Sequence, residues 1–397
     1  MNRKDFPILD DGMIYLDTAA TSLKPVNVIK EINNYYLYYS ANIHRGDYNI
    51  AFKTDKAYDE AREKIAKFIN ADTKEIVFTS GTTSSINLVA NGYFRNVLKE
   101  KDEVLITKAE HASNVLPWFE LVKTNGIKVN YIDLNDKFEV TLDNVKNAIT
   151  DKTKVIALAH ITNVIGDVRP IKEICEYAHS KGILVLVDGA QSVPHIETDV
   201  KDLDVDFLAF SGHKMFGPTG IGVLYARFDL LDKIYPVNLG GGMNESFDTP
   251  EEVKLKELPA RLEGGTPNIA GAIGLGYAVD YINSIGIDNI YNHELDLRYY
   301  LVDKLNEISH IKVINPKSKS GIVTFLVDDV FPQDVSFYLN KYDICLRVGN
   351  HCAKLLKDVI GYKNTIRVSL YSYNTKEEID KLVNLLSDKD KILREMI

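Results

Sequence analysis

The stretch Ala209-Phe-Ser-Gly-His-Lys-Met-Phe-Gly-Pro-Thr-Gly220 decides the architecture. The apolar run 205–210 reads as a buried strand that ends in a turn of small residues carrying His213 and Lys214. Gly217, Pro218 and Gly220 then break the chain before a second apolar run, 221–226. An ammonium between two core strands is costly to bury unless its charge is taken up or its amine reacts. A Schiff base with an aldehyde is one solution. A lysine that snorkels out of a hairpin is the other, and this segment alone does not choose between them.

Working outward, residues 16–226 follow an irregular start with strand-like runs at 76–79, 104–107, 129–132, 155–159 and 183–187, before the two already named. Helical patterns at 83–98, 115–124, 142–149 and 171–181 lie between most of them. Such alternation predicts an α/β fold, a mainly parallel sheet with helices on both faces. After an irregular region, 237–268, comes a long helical pattern, 269–285. Helices at 295–308, 333–341 and 376–386, with strands at 312–315, 322–327 and 365–370, then suggest a smaller α+β domain. The expected division is an N-terminal segment, 1–15, joining the small domain, a large domain, 16–270, and the small domain, 271–397.

Composition excludes several classes. With 45% hydrophobic and 26% charged residues the chain is an ordinary globular protein, and a net charge of −9 leaves no basic footprint for nucleic acid. No apolar run approaches the roughly 18 residues of a membrane span, and the N-terminus has no apolar signal region. Three cysteines, Cys175, Cys345 and Cys352, are an odd count that fits reduced thiols and a cytoplasmic location.

Ligands of such sheets collect at the carboxyl ends of the strands. The first strand is followed by Thr79-Ser-Gly-Thr-Thr-Ser-Ser85, an anion cradle suited to phosphate or, more blandly, a helix N-cap. It lacks the lysine of a nucleotide-binding loop. The next strand leads to His111, a later one to Asn163, and the run 183–187 ends directly in Asp188, which needs a cationic partner. A hydroxyl cradle, a flat histidine, an acid and an amine at one sheet edge form the set that pyridoxal phosphate requires. Its phosphate needs donors, its ring nitrogen an acid, and its aldehyde a lysine.

At this point the chain resembles the cysteine desulfurases among the fold-type I pyridoxal phosphate enzymes (class V aminotransferase family), nearest the Suf-type second group. The resemblance spans essentially the whole chain. It rests on Tyr15-Leu-Asp-Thr-Ala-Ala-Thr-Ser-Leu-Lys-Pro25, Asn42-Ile-His-Arg-Gly46, Phe78-Thr-Ser-Gly-Thr-Thr83 with Ile86-Asn-Leu-Val-Ala90, and Glu110-His-Ala-Ser-Asn114. It continues through Val187-Asp-Gly-Ala-Gln191, Ser211-Gly-His-Lys214, Gly264-Gly-Thr-Pro-Asn268, Arg347-Val-Gly-Asn-His-Cys-Ala353 and Arg367-Val-Ser-Leu370.

The resemblance implies that Lys214 anchors the cofactor, Asp188 pairs with the ring nitrogen, Gln191 meets the ring hydroxyl and His111 stacks on the ring. Thr82, Thr83, Ser211 and His213 would hold the phosphate. Thr266 would reach the phosphate of a neighbouring subunit, which implies a homodimer. Arg367, assisted by Asn163, would take the substrate carboxylate. Cys352 would accept sulfur from L-cysteine as a persulfide, leaving L-alanine, and pass it to an acceptor protein for iron–sulfur cluster assembly. No metal ligand set is implied. The alternatives on the same scaffold are a selenocysteine lyase or another pyridoxal phosphate lyase or aminotransferase. The chain departs from the family pattern at Thr18, Asn350, Leu356 and Gln333. These positions bear on a contact near the substrate, on the Cys352 loop and on the sulfur acceptor.

Overall fold

A computed structural model describes residues 3–395. Seven strands form the central sheet. In chain order after β1 (Ile14–Tyr15), they are β2 (Ile76–Thr79), β3 (Glu103–Ile106), β4 (Lys128–Tyr131), β5 (Thr153–Ala159), β6 (Leu184–Asp188), β7 (Phe207–Ser211) and β8 (Gly222–Ala226). The spatial order is β2-β8-β7-β6-β5-β3-β4, parallel throughout except for β8, which runs against both neighbours. The expected α/β architecture with a mainly parallel sheet is therefore present.

The near-continuous apolar runs follow from burial on both faces. Ile156, Leu158, Val187 and Phe210 point into one core, while Val155, Ala157, Leu186 and Ala209 point into the other. The first of these cores extends to the helix Ile269–Ile285, which lies across helices Val26–Tyr38 and Asn49–Phe68. A β-carbon on Gly274 would come within 2.7 Å of Ile32, so glycine is what permits that crossing. Neither of those two N-terminal helices was expected in the irregular start of the chain.

In the excursion 237–268 only a short hairpin forms, β9 (Asn244–Ser246) with β10 (Lys254–Leu255). The smaller body holds β11 (Ile311–Val313), β12 (Ile322–Val327), β13 (Ile344–Cys345), β14 (Arg347–Gly349) and β15 (Thr365–Ser369). Four of these make an antiparallel sheet ordered β11-β12-β15-β14, packed on helices Ile287–Asn306, Pro332–Asn340 and Lys376–Ser387. β1 pairs with β13 in parallel, and Leu16 is buried in the same small core. The helix Ile269–Ile285, which a division at 270/271 would assign to the small domain, buries its side chains in the large core. We propose the division at Gly286, where the chain leaves that helix with φ +89°.

Candidate active site

Register places the strand ends side by side: Ala159 of β5 beside Asp188 of β6, and Asp188 beside Ala209 of β7. A cavity of about 180 Å³ opens over them. Of the residues singled out in the sequence, all line it except Cys352 and Thr266. Arg347 and His351, from the small body, complete its roof. A larger cavity of about 360 Å³ lies elsewhere. The charged residue on its wall, Glu263, is committed to Arg62 at 2.8 Å, so the chemistry belongs to the smaller cavity.

Asp188 is buried, and its Oδ1 accepts the Ala190 N–H at 3.0 Å. Burial pushes its carboxyl up to about 6. Burial brings the Lys214 ammonium down to about 8, with Asp188 pulling in the opposite direction. An amine so placed is closer to its neutral, nucleophilic form than an exposed lysine. His111 precedes a short turn, Ala112–Asn114, and its Nδ1 accepts the Ser113 N–H at 3.1 Å. Burial first, then the cations Lys214, Arg347 and Arg367, bring His111 down to about 4. The ring is therefore neutral at pH 7, and with Nδ1 accepting, its proton sits on Nε2.

The hydroxyl cradle is assembled from two strand ends. Thr82 donates its N–H to Ser211 Oγ at 2.8 Å, and the two hydroxyls lie 2.7 Å apart. Thr83 Oγ1 meets Ser113 Oγ at 2.6 Å. A β-carbon on Gly222 would fall 2.4 Å from Gly81 Cα, so bare backbone lets the two loops converge. His213 is brought down to about 4 by burial and the nearby Lys214 and Lys24.

Arg367 on β15 donates to Asn163 O at 2.9 Å and to Asp17 Oδ1 at 2.8 Å, while its Nε has no partner. Asn163 donates its amide to His351 O at 2.7 Å, and Gln191 donates to Ala19 O at 2.8 Å. The other side-chain oxygen of each, Asn163 Oδ1 and Gln191 Oε1, is buried without a partner.

Cys352 is exposed, at the tip of a turn in which His351 and Cys352 both adopt left-handed backbone, φ +50° and +59°. Its carbonyl accepts the Ala112 N–H at 2.8 Å, which fastens the loop to the residue after His111. Arg347 donates towards Sγ at 3.6 Å. Leu356 buries itself in an apolar cluster with Ala109, Val164 and Ile360 and roots the loop. The other two thiols differ. Cys175 is buried on the helix Ile171–His179, where burial pushes its thiol far up, and Cys345 is half-buried in β13. Thr266 is exposed and accepts from Asn42 at 3.3 Å. Gln333 is exposed on the helix Pro332–Asn340, and Thr18 is buried with Oγ1 2.5 Å from Tyr373 OH.

Motif reading missed what lies beneath His111. Glu110 and Arg169, both wholly buried, form an ion pair at 2.5 Å. Thr107 and Asn114 donate to Glu110 at 2.7 and 2.9 Å, and the Ala159 N–H does so at 2.8 Å. Such a pair is sustained only because its remaining donors and acceptors are met. The available signal was Asp167-Val-Arg-Pro170, a charged couple just after a strand-end loop.

The donor set fits pyridoxal phosphate. It offers an acid, an amine whose charge burial disfavours, clustered hydroxyls above the N-terminus of the helix Thr82–Val89, and an orphan acceptor at Gln191 Oε1.

Residues 14–382 match the family model described as aminotransferase class-V. The chain belongs to that family. Within it, the chain is similar to cysteine desulfurases: a probable cysteine desulfurase of Halalkalibacterium halodurans is 47% identical, over 96% of this chain and 95% of the relative. A probable cysteine desulfurase of Staphylococcus epidermidis is 41% identical, over 96% and 94%. Among solved structures, an apo cysteine desulfurase from Thermococcus onnurineus superposes with a TM-score of 0.93 at 38% identity, over 97% and 96% of the two chains. The cysteine desulfurase CsdA (S-sulfonic acid) from Escherichia coli also gives 0.93, at 37% identity, over 100% and 98%.

Proposed function

We propose that this chain is a pyridoxal 5'-phosphate-dependent cysteine desulfurase that moves sulfur from L-cysteine onto Cys352 and releases L-alanine. One observation carries the reading: an exposed thiol sits on a loop whose backbone is bonded to the cavity rim next to His111.

Lys214 would hold the cofactor through its aldehyde carbon, with Asp188 at the ring nitrogen and Gln191 Oε1 at the ring hydroxyl. Thr82, Thr83, Ser211 and His213 would hold the phosphate, with Asn163 beside the substrate. When bound, the cofactor supplies an electron sink that makes the substrate Cα proton labile and weakens the Cβ–S bond. Arg367 fixes the substrate carboxylate through the guanidinium edge whose Nε is unpartnered. The amine of Lys214, once freed, and Nε2 of His111 move the protons. Cys352 Sγ, as thiolate, attacks the substrate sulfur. An S–S bond forms, the C–S bond breaks, and its electron pair stays with the three-carbon fragment, which takes up protons and leaves as alanine.

Thr266, exposed in the single chain, would serve the phosphate site of a second protomer in a homodimer, which would also cover exposed Tyr36, Leu37, Leu239 and Phe247. The persulfide would pass to an acceptor protein of an iron–sulfur assembly system. No helix among the described residues is long and apolar enough to cross a membrane. The cytoplasmic location belongs to this reading on separate grounds: Cys175, Cys345 and Cys352 are all free thiols, as a reducing compartment keeps them.

Purified protein given L-cysteine and a reductant should produce alanine and sulfide in equal amounts. Absence of alanine would sink the reading.

A further inference from the structure

Two successive non-glycine residues in left-handed backbone are costly, on the order of 1–2 kcal/mol each, and something must hold them there. Around His351 and Cys352, five hydrogen bonds do so. His351 O accepts the Asn163 amide at 2.7 Å, and His351 Nε2 lies 3.0 Å from Thr365 Oγ1. Cys352 O accepts the Ala112 N–H at 2.8 Å. The other two are local: Asn350 Oδ1 accepts the Cys352 N–H at 3.1 Å, while Asn350 O accepts the Ala353 N–H at 2.8 Å. Asn350 thus closes a side-chain turn around the nucleophile, the role for which asparagine is suited. The first three hold the carbonyls of His351 and Cys352 and the His351 ring, and the last holds the Ala353 amide. Only the Asn350 oxygen grips the Cys352 amide itself, the group that with the Cα and the carbonyl carbon sets where the Cα–Cβ bond, and so the thiol it carries, is directed.

We propose that Asn350 is the positioning residue of the Cys352 thiol, aiming Sγ at the Arg347 guanidinium and the cavity mouth through the bond to the Cys352 N–H. The proposal rests on the desulfurase reading for its consequence in turnover, but not for its geometry. Asn350 touches no substrate in this scheme; it acts through Cys352. A guanidinium donor beside Sγ stabilises charge that collects on sulfur. Releasing the Cys352 amide lets the backbone relax out of the left-handed region and carries Sγ away from that donor.

The test uses the cofactor-loaded protein without substrate. Alkylation of each thiol by iodoacetamide is followed by peptide mass spectrometry, with buried Cys175 and half-buried Cys345 as internal controls. Asn350→Ala should slow alkylation of Cys352 about tenfold and leave Cys175 and Cys345 as they were. Asn350→Ser, which keeps a neutral acceptor able to close the same turn, should recover to within about threefold of the parent. With L-cysteine, Asn350→Ala should lower kcat by a similar factor at unchanged KM. Parental alkylation of Cys352 in Asn350→Ala, or a serine variant as slow as the alanine one, would overturn the proposal. If alkylation follows expectation but no variant, parent included, makes alanine, the desulfurase reading fails and the positioning role stands.

Discussion

The floor of the cavity and its lid are built on opposite principles. Asp188 ends β6, Lys214 and His111 follow the ends of β7 and β3, and the register of β3, β5, β6 and β7 sets these strand ends side by side. Cys352 stands on a turn with unfavourable backbone, held by single hydrogen bonds to Asn350, Asn163 and Ala112. The floor is buried or half-buried and carries perturbed charges; on the lid the nucleophile itself is exposed, next to a buried His351. A rigid floor suits a cofactor that must not move. A lightly held thiol suits a group that must reach a substrate inside and an acceptor outside.

Substitution of the two key residues should separate floor from lid most sharply. Lys214→Ala should lose the covalently attached cofactor and its visible absorbance. Cys352→Ala should keep that absorbance while alanine production falls by roughly a thousandfold or more. A Cys352→Ala protein that turned over normally would erase the distinction.

The same contrast should appear in stability. Glu110→Gln leaves the wholly buried Arg169 with only the more distant Asp167, at 3.4 Å, as counter-charge, and unfolding by urea should register a loss of about 3 kcal/mol. Cys352→Ala, at an exposed site, should change stability by no more than about 0.5 kcal/mol.

A smaller effect is expected with pH. His111, His160 and His213 are brought down to about 4 and His351 to about 3, in each case chiefly by burial. Unfolding returns them to about 6.5, so below that pH the unfolded chain binds more protons. Their contribution is whole above pH 6.5 and is lost as pH falls towards 4. Asp188, raised to about 6 by burial, works in the opposite sense, as do Asp59, Asp167, Asp206 and Glu294, whose carboxyls burial also raises. The histidine part, read as the difference in thermal midpoint between the cofactor-free parent and its histidine variants, should therefore fall between pH 6.5 and 4.5. His160→Gln and His351→Gln would assign the slope to the floor or the lid.

What was legible in the chain follows the same divide. An apolar run ending directly in Asp188, and another ending in the turn that carries Lys214, announced these residues, because a strand buried on both faces leaves the first polar residues at the sheet edge. The helix Asn49–Phe68 went unread although Ala51, Thr54, Tyr58, Ala61 and Ile65 form a buried stripe at helical spacing. Its small residues stand among many charges, and the burial comes from a helix more than two hundred positions away. The Glu110–Arg169 pair was hidden for a related reason, since its partners are 59 residues apart and meet only once β3 and β5 lie side by side. For the Cys352 loop, motif reading supplied the nucleophile. The left-handed turn and the Asn350 bond depend on backbone angles that a motif does not display.

The parallel pairing of β1 with β13 has a consequence in time. Ile344 and Cys345 leave the ribosome roughly 330 residues after Ile14 and Tyr15, about 20–60 s later at ordinary synthesis rates. For that interval Ile14 and Leu16 have no core of their own. The small body thus waits for segments made far apart in time, so a C-terminal piece cut at Gly286 would lack the partner strand of β13 and the Leu16 plug.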